Sequence, residues 1–284
     1  MYHFISGLPR SGSTLLSAIL RQNKKFTSSI SDPLSSYIDG ILQGSEQSVG
    51  IGTLVSEEKR LSIMRAVFDS FYEGSPPVRF NTSRSWTSQT SLLKKIYPNF
   101  RMLVCVREIP WILDSFEVLD RKNPLTVKPL YHHQKLNSVY ERSEMLMGNL
   151  GQPGYVSGPL LSLKQSLFCE EVSQIMYIEY EALCKDPATV MRRLYEFLEE
   201  EYFEHDFDNV EVSYDEFDES AKIKGLHTTR RKVEYIERNP ILPSDIWNKY
   251  EGESFWKNPG FDTSKLNWIK YNAPKMQYFA QSRP

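Results

Sequence analysis

The chain has 284 residues, of which 40% are hydrophobic and 25% are charged. This composition is typical of a globular protein with a sizeable core, and the length suits one large α/β domain or two small ones. The net charge of −2 at pH 7 argues against a general binding surface for nucleic acid or anionic membranes. Any anion that the protein binds must therefore be met by cations gathered locally.

No apolar stretch of roughly 18 residues is present, so no transmembrane helix is predicted. The N-terminal segment has the pattern of a strand and not that of a signal peptide. Three widely spaced cysteines, Cys105, Cys169 and Cys184, fit neither a disulfide framework nor a zinc site. Reduced thiols are typical of the cytoplasm, where we expect the protein to reside. We expect neither a nucleic-acid nor a membrane partner, and the composition predicts no oligomeric state.

The first half of the chain alternates short β-rich runs with helical patterns, which predicts parallel strands joined by crossover helices. Strands are expected at 2–6, PPVRFNTS, 101–108 and QIMYIEYEAL. Helices are expected at STLLSAILRQ, 57–73, SQTSLLKKIYPN, IPWILDSFEVLDR and DPATVMRRLYEFLEE. The predicted fold is a single α/β domain over 1–284, with a P-loop-type parallel sheet flanked by helices and an irregular tail from about 269.

Two local signals support individual helices, and two stretches interrupt the pattern. Pro110 falls in the first turn of its helix, where a missing N–H costs nothing. Asp186 stands before Pro187 and is expected to cap the last of these helices. The glycine-rich stretches 40–52 and 148–158 are predicted to be loops, which in compact domains often serve as lids or binding segments.

The segment GLPRSGST, from Gly7 to Thr14, nearly matches the P-loop pattern G-x-x-x-x-G-K-[ST]. It departs at Ser13, which stands where the P-loop lysine would be, and it carries Arg10 inside the loop. A strand, a glycine-rich turn and a helix N-terminus in this order present backbone N–H groups and partial positive charge to an anion. The guanidinium of Arg10 adds a planar donor suited to an oxyanion.

The segment GLPRSGSTLL resembles the 5′-phosphosulfate-binding loop of sulfotransferases that use 3′-phosphoadenosine 5′-phosphosulfate (PAPS). It is most similar to the loop of tyrosylprotein sulfotransferases and their bacterial relatives, which reads P-R-S-G-[ST]-T. The resemblance implies that PAPS is the co-substrate and that its 5′-phosphosulfate is held by Arg10, Ser11, Gly12, Ser13, Thr14 and Leu15.

Two further stretches are similar to donor-binding parts of the same family. In VCVREIPWILDSF an arginine closes a strand and a serine follows eight residues later, so Arg107 and Ser115 match the pair that binds the 3′-phosphate. Tyr180 matches a tyrosine that contacts the nucleotide. The segment KIKGLHTTRRKVEY loosely resembles a late loop that folds over the nucleotide, which implicates Thr228 and Arg230; a solvated basic run is the alternative.

Sulfuryl transfer is an in-line displacement that needs alignment, a base for the acceptor proton and cations for the departing bisphosphate. A sulfuryl group carries less negative charge than a phosphoryl group, so a bridging metal is not obligatory and none is expected. The most apolar strand ends in Arg107 and not in the aspartate typical of metal-dependent P-loop enzymes.

The sequence leaves the general base open. The glutamate of tyrosylprotein sulfotransferases would fall near Ile30, and the nearest carboxylate is Asp32, which could equally belong to an Asp-Pro turn. Cytosolic sulfotransferases use a histidine instead, so His227 and the pair His132 and His133 are alternatives.

A family lysine that stabilises the leaving group has Thr82 at its position here, and Arg84 is the nearest cation. The candidate catalytic residues are therefore Asp32, Arg84 and His227. Segments 40–52 and 119–158 are expected to line a pocket for a small-molecule or peptide acceptor. Two alternatives are a P-loop kinase using ATP and Mg²⁺ and a non-catalytic nucleotide-binding protein.

Overall fold

The computed structural model describes residues 1–46, 55–126, 128–148, 152–210, 214–220 and 222–271. Its strands are β1 Tyr2–Gly7, β2 Phe26–Ser28, β3 Val78–Thr82, β4 Met102–Val106, β5 Ile175–Glu179 and β6 Asn267–Ile269. Its helices are α1 Ser13–Leu20, α2 Leu34–Glu46, α3 Glu57–Phe71, α4 Thr90–Ile96, α5 Ile109–Lys122, α6 Val139–Met147, α7 Ser157–Ser166, α8 Tyr180–Lys185, α9 Pro187–Leu198, α10 Asp215–Ser220 and α11 Ser244–Glu251.

The six strands form one parallel sheet in the order β2-β3-β1-β4-β5-β6. The chain thus places two strands on one side of β1 and three on the other. In open sheets of this kind, the connections that leave the carboxyl ends on either side of such a reversal separate and open a crevice. The predicted parallel α/β fold is confirmed. A ligand site is expected at the carboxyl ends of β1 and its neighbours β3 and β4.

Helices cover both faces of the sheet, because successive strand residues point to opposite faces. One core joins Phe4 and Val104 to helices including α2, α3, α5 and α11, and the other joins Ile5 and Leu103 to α1, α8 and α9. Every residue of β4 is buried, as its almost continuously apolar sequence predicted. Asp186 caps α9 by accepting a hydrogen bond from the N–H of Thr189, as also predicted.

The glycine-rich stretch 40–52 was predicted to be a loop, and this prediction is wrong for its first part. Residues 40–46 belong to α2, whereas 47–52 lie outside the described residues. Leu34 and Ile38 of this helix are fully buried and share a core with Met64 and Phe68 of α3. Burial of two such side chains outweighs the roughly 1 kcal/mol that each glycine costs in a helix.

Three other boundaries differ from the sequence prediction. The strand expected over QIMYIEYEAL ends at Glu179, and the next six residues form α8. The stretch 148–158 becomes helical at Ser157, and its residues 149–151 are outside the described part. The expected irregular tail begins with Ile269 in β6, which pairs with β5; 272–284 are not described. In the described ranges no helix has the length and apolar character needed to cross a bilayer.

Candidate functional site

A cavity of about 840 Å³ lies at the carboxyl ends of β1, β3 and β4. Seven cationic side chains line it, whereas the carboxylates among its lining residues are Asp32 and Glu234. The cations are Arg10, Arg84, Arg107, Lys122, Arg230, Lys232 and Arg238. Arg107, Lys232 and Arg238 have carboxylate partners outside the lining, namely Glu181, Asp208 and Asp114. The remaining excess of positive charge, in a chain with a net charge of −2, favours an anionic ligand.

The loop between β1 and α1 turns tightly because two of its residues are glycines. Gly7 has φ +116°, and a Cβ there would lie 2.1 Å from the carbonyl oxygen of Cys105 in β4. Gly12 has φ +97° and stands immediately before α1 without a side-chain cap. The N–H groups of the first helical turn have no acceptor within the helix. The residues of that turn, Ser13, Thr14 and Leu15, all line the cavity, so an anion there would meet open donors.

Ser11 is a predicted loop residue whose side chain does not line the cavity. It is 1% exposed, and its hydroxyl can donate to the carbonyl oxygens of Leu8 at 2.5 Å and Cys105 at 2.9 Å. Its hydroxyl therefore fixes the loop against β4.

Arg10 connects the loop to two distant segments. Its Nε donates to the Oγ of Ser115 in α5 at 3.1 Å, and its Nη1 donates to the carbonyl oxygen of Leu226. Burial, together with the nearby charge of Arg107, lowers the pKa of Arg10 to about 10, which leaves it charged at neutral pH. Two side chains that the sequence assigned to different donor phosphates are thus in direct contact.

Arg107 follows β4 and lies between an aromatic ring and a carboxylate. Its guanidinium carbon is 4.4 Å from the ring centroid of Tyr180, a distance typical of a cation–π contact. The Tyr180 ring packs against Gly12, where a Cβ would come within 2.9 Å of it. The Nε of Arg107 is 3.9 Å from Oε1 of Glu181, whose carboxyl pKa is raised by burial despite Arg107. Glu181, which the sequence analysis did not identify, therefore partly balances this arginine.

Asp32, a candidate base, lines the cavity but is held by four donors. Its Oδ2 accepts hydrogen bonds from the N–H of Thr82 and the amide of Asn81, both at 3.0 Å, and from the Tyr72 hydroxyl at 3.3 Å. The hydroxyl of Ser29 donates to the same oxygen. Burial raises the pKa of Asp32, although these hydrogen bonds oppose the shift. The carboxylate thus ties the connection after β2 to the end of β3.

Arg84, the candidate replacement for the family lysine, lies after β3 in contact with Tyr155. Its Nη2 donates to the Tyr155 hydroxyl at 2.6 Å, and its guanidinium carbon is 4.3 Å from the same ring. Phe116 packs edge-to-face on Tyr155 with 5.8 Å between centroids. No carboxylate in the described ranges pairs with Arg84. Its charge is therefore available to a ligand.

His227 is joined to a buried carboxylate by two hydrogen bonds. Its Nδ1 is 2.7 Å from Oδ1 of Asp218, and its backbone N–H donates to Oδ2 of the same residue at 3.0 Å. Asp218 is 1% exposed. A proton on Nδ1 leaves Nε2 with a lone pair, and His227 lines the cavity. Asp218 was not predicted from the sequence, because nothing in the spacing of Asp218 and His227 indicates this contact.

Charged side chains from three parts of the fold act on His227: Asp218 of α10, Arg10 of the loop after β1, and Arg84 of the segment after β3. Burial lowers the pKa of its imidazole from the ordinary 6.5, Asp218 raises it, and Arg10 and Arg84 lower it, with a net decrease. His227 is therefore neutral near pH 7. The alternatives His132 and His133 are not among the cavity-lining residues.

The remaining predicted residues also fall at this cavity. Thr228 and Arg230 line it from exposed positions. Of the proposed acceptor-pocket segments, 119–158 contributes Leu119, Lys122 and Tyr155, whereas no residue of 40–45 lines the cavity. In the described ranges, no group of three histidine, cysteine or acidic side chains is placed to hold a metal ion.

Comparison with known proteins identifies the family. A profile described as the sulfotransferase family matches residues 3–204. The chain belongs to the sulfotransferase family. Among curated proteins, none matches the chain. The family resemblance inferred from the glycine-rich loop is thereby confirmed, and sulfuryl transfer is the chemistry with which this sulfotransferase is associated.

Two solved structures share the fold of this sulfotransferase. The sulfotransferase domain from the curacin biosynthetic pathway is 16% identical, with coverage of 89% of this chain and 94% of that domain and a TM-score of 0.51. A sulfotransferase from Alicyclobacillus acidocaldarius is 17% identical, with coverage of 77% and 88% and a TM-score of 0.51. At these identities the likeness concerns the fold alone.

Proposed function

We propose that this sulfotransferase transfers the sulfuryl group of PAPS to a hydroxyl or amine acceptor. The supporting observation is that the open N-terminus of α1 and the group Arg10, Arg107 and Ser115 line one cationic cavity. PAPS has two anionic ends, a 5′-phosphosulfate and a 3′-phosphate, and both could be met by donors of this one cavity. Its volume of about 840 Å³ is in the range of nucleotide-sized ligand sites.

In this proposal the backbone N–H groups of Ser13, Thr14 and Leu15 bind the 5′-phosphosulfate. Arg107 and Ser115 bind the 3′-phosphate, and Arg10 lies between the two groups of donors because it contacts Ser115. Tyr180, Thr228 and Arg230 contact the rest of the nucleotide. When bound, PAPS supplies the sulfuryl group, and 3′,5′-adenosine bisphosphate is the leaving group.

His227 is the general base of the proposed reaction. Its Nε2 accepts the acceptor proton as the acceptor atom bonds to sulfur and the sulfur–oxygen bond to the 5′-phosphate breaks. Arg84 and Arg10, whose charges act on His227, stabilise the negative charge that develops on the leaving oxygen. Asp32 is a weaker candidate because its Oδ2 is engaged by four donors.

Calorimetric titration with 3′,5′-adenosine bisphosphate, 5′-AMP and ATP–Mg²⁺ tests the donor. We expect the bisphosphate to bind most tightly, because it alone presents a phosphate to Arg107 and Ser115 while its 5′-phosphate reaches α1. Tighter binding of ATP–Mg²⁺ would instead favour a kinase. Transfer of labelled sulfate from PAPS to alcohols, phenols, amines and peptides then tests turnover.

The pH dependence of kcat/KM tests the assigned base. A general base must be unprotonated, so the rate is expected to fall as the pH decreases through the pKa of His227. Since that pKa lies below 6.5, the rate should be independent of pH near 7 and decrease only in the more acidic range. A rate that keeps increasing well above pH 7.5 would contradict the assignment.

We propose a small molecule or a peptide as the acceptor, and the cytoplasm as the location of the protein.

A further inference from the structure

We propose that Asp218 is a positioning residue of the reaction: it holds the imidazole of His227 in the tautomer whose Nε2 can accept the acceptor proton. The inference rests on the proposed function, in which His227 is the base. Asp218 itself lies behind the imidazole and does not line the cavity.

The two hydrogen bonds between these residues fix both the ring and the backbone of His227. Oδ1 of Asp218 faces Nδ1 at 2.7 Å, and Oδ2 accepts the backbone N–H of His227 at 3.0 Å. An ionised carboxylate has no proton to donate, so it can face Nδ1 only if Nδ1 carries the hydrogen. Both oxygens of one side chain are thus used to orient one residue.

Burial and nearby charges determine how Asp218 affects the protonation of His227. Asp218 is 1% exposed, and in the described part of the chain no lysine or arginine forms an ion pair with it; its partner is the imidazole of His227, and this contact becomes an ion pair only when the imidazole is protonated. The ring of Phe217 packs edge-to-face on the imidazole, with 4.9 Å between centroids. The nearby Arg10 and Arg84 disfavour a protonated imidazole, whereas Asp218 favours it. Asp218 therefore compensates for the two arginines when His227 takes up a proton.

The backbone around Asp218 brings the pair to the cavity independently of its carboxylate. The carbonyl oxygen of Asp218 accepts a hydrogen bond from the N–H of Ile223, and the backbone N–H of Asp218 donates to the carbonyl oxygen of Tyr214. The carbonyl of Leu226, next to His227, accepts a hydrogen bond from Arg10 of the glycine-rich loop. The segment is thus anchored beside the loop by contacts that a side-chain amide at position 218 would leave in place.

Asp218→Asn tests the proposal because an amide has one acceptor oxygen instead of two. If that oxygen accepts the buried backbone N–H, the NH₂ group faces Nδ1 and moves the imidazole hydrogen to Nε2, where it blocks proton uptake. We expect kcat to fall by about 10²-fold, within the range for loss of general base catalysis, with the bisphosphate Kd unchanged. The remaining activity should show its acid limb at lower pH, because a negative charge beside the imidazole is gone.

The matched control is Glu219→Gln, which removes one negative charge from the adjacent, exposed position of the same helix and should leave kcat and the pH profile unchanged. Asp218→Asn combined with His227→Asn should be no slower than His227→Asn alone, since a positioning residue has no effect once its target is absent. An unchanged kcat and pH profile in Asp218→Asn, or a further loss in the double variant, would overturn the proposal.

Nitrogen-15 NMR of the imidazoles in the unmodified full chain gives a test that requires neither turnover nor a folded Asp218 variant. His227→Asn assigns the His227 signals among the five histidines. We expect hydrogen on Nδ1 at pH 7.5, and hydrogen on Nε2 would contradict the inference. Failure to bind the bisphosphate would reject the proposed function while leaving this tautomer measurement interpretable.

Discussion

Replacing His227 by asparagine is expected to lower kcat for sulfuryl transfer by about 10²- to 10⁴-fold, the usual contribution of a general base. Asparagine keeps an N–H donor that can face Oδ1 of Asp218, where Nδ1 now lies at 2.7 Å, but it removes Nε2. The substitution therefore deletes the proposed proton acceptor with little change to its surroundings. Steady-state kinetics measures the loss of kcat, and calorimetry with 3′,5′-adenosine bisphosphate measures any change in nucleotide binding.

The control for this variant is His132→Asn. His132 does not line the cavity, and its φ of 52° is one that asparagine tolerates well, so kcat should be unchanged. Asp32→Asn provides the competing test: it should reduce the free energy of unfolding, because Oδ2 accepts four hydrogen bonds. Full activity in His227→Asn together with a large loss of kcat in a folded Asp32→Asn would transfer the role of base to Asp32.

Replacing Arg107 by alanine is expected to weaken binding of 3′,5′-adenosine bisphosphate by about 10- to 150-fold. Hydrogen bonds to charged groups contribute about 1.5–3 kcal/mol, and 1.4 kcal/mol corresponds to a factor of ten in Kd. Binding of 5′-AMP should change far less, because it lacks the phosphate assigned to Arg107. Calorimetry with both nucleotides measures the difference, and an equal loss for both would remove the 3′-phosphate assignment.

Two further variants separate ligand binding from folding in this experiment. Arg107→Ala leaves Glu181 buried without the guanidinium 3.9 Å away, which is expected to destabilise the fold as well. Arg107→Lys keeps the positive charge and should therefore preserve stability better, while it loses the planar pair of donors that suits a phosphate. Arg192→Ala, an exposed arginine of α9 outside the cavity, is the matched surface control and should bind both nucleotides normally.

The sequence predicted those parts of the site whose geometry is local. Gly7 and Gly12 permit the positive φ values of the turn, and the first turn of the helix that follows leaves its N–H groups without acceptors inside the helix. Arg107 ends a strand whose apolar run identified it as buried, so its place at the carboxyl edge of the sheet followed from the pattern. The spacing from Arg107 to Ser115 then lies within one strand–helix unit.

Long-range packing determined two elements that the local sequence pattern did not predict, the helix α2 and the strand β6. The glycines of α2 predicted a loop, but burial of Leu34 and Ile38 against α3 made the segment helical. The strand β6 depends on backbone pairing with β5, because its three residues are too few to form a recognisable strand pattern. Such elements form because apolar surface and backbone groups find distant partners, which a local pattern does not encode.

The amino-acid sequence by itself determined the sulfotransferase family, the parallel α/β fold and the glycine-rich turn between β1 and α1, because these depend on local backbone preferences and on motifs of fixed spacing. Only the tertiary structure determined which side chains the candidate site residues contact. It joined Arg10 to Ser115 across 105 residues, Arg84 to Tyr155 across 71, and His227 to Asp218, which lies in α10 nine residues earlier. Whether a histidine can act as a base depends on the partner of its other nitrogen, and the folding of the chain provides that partner.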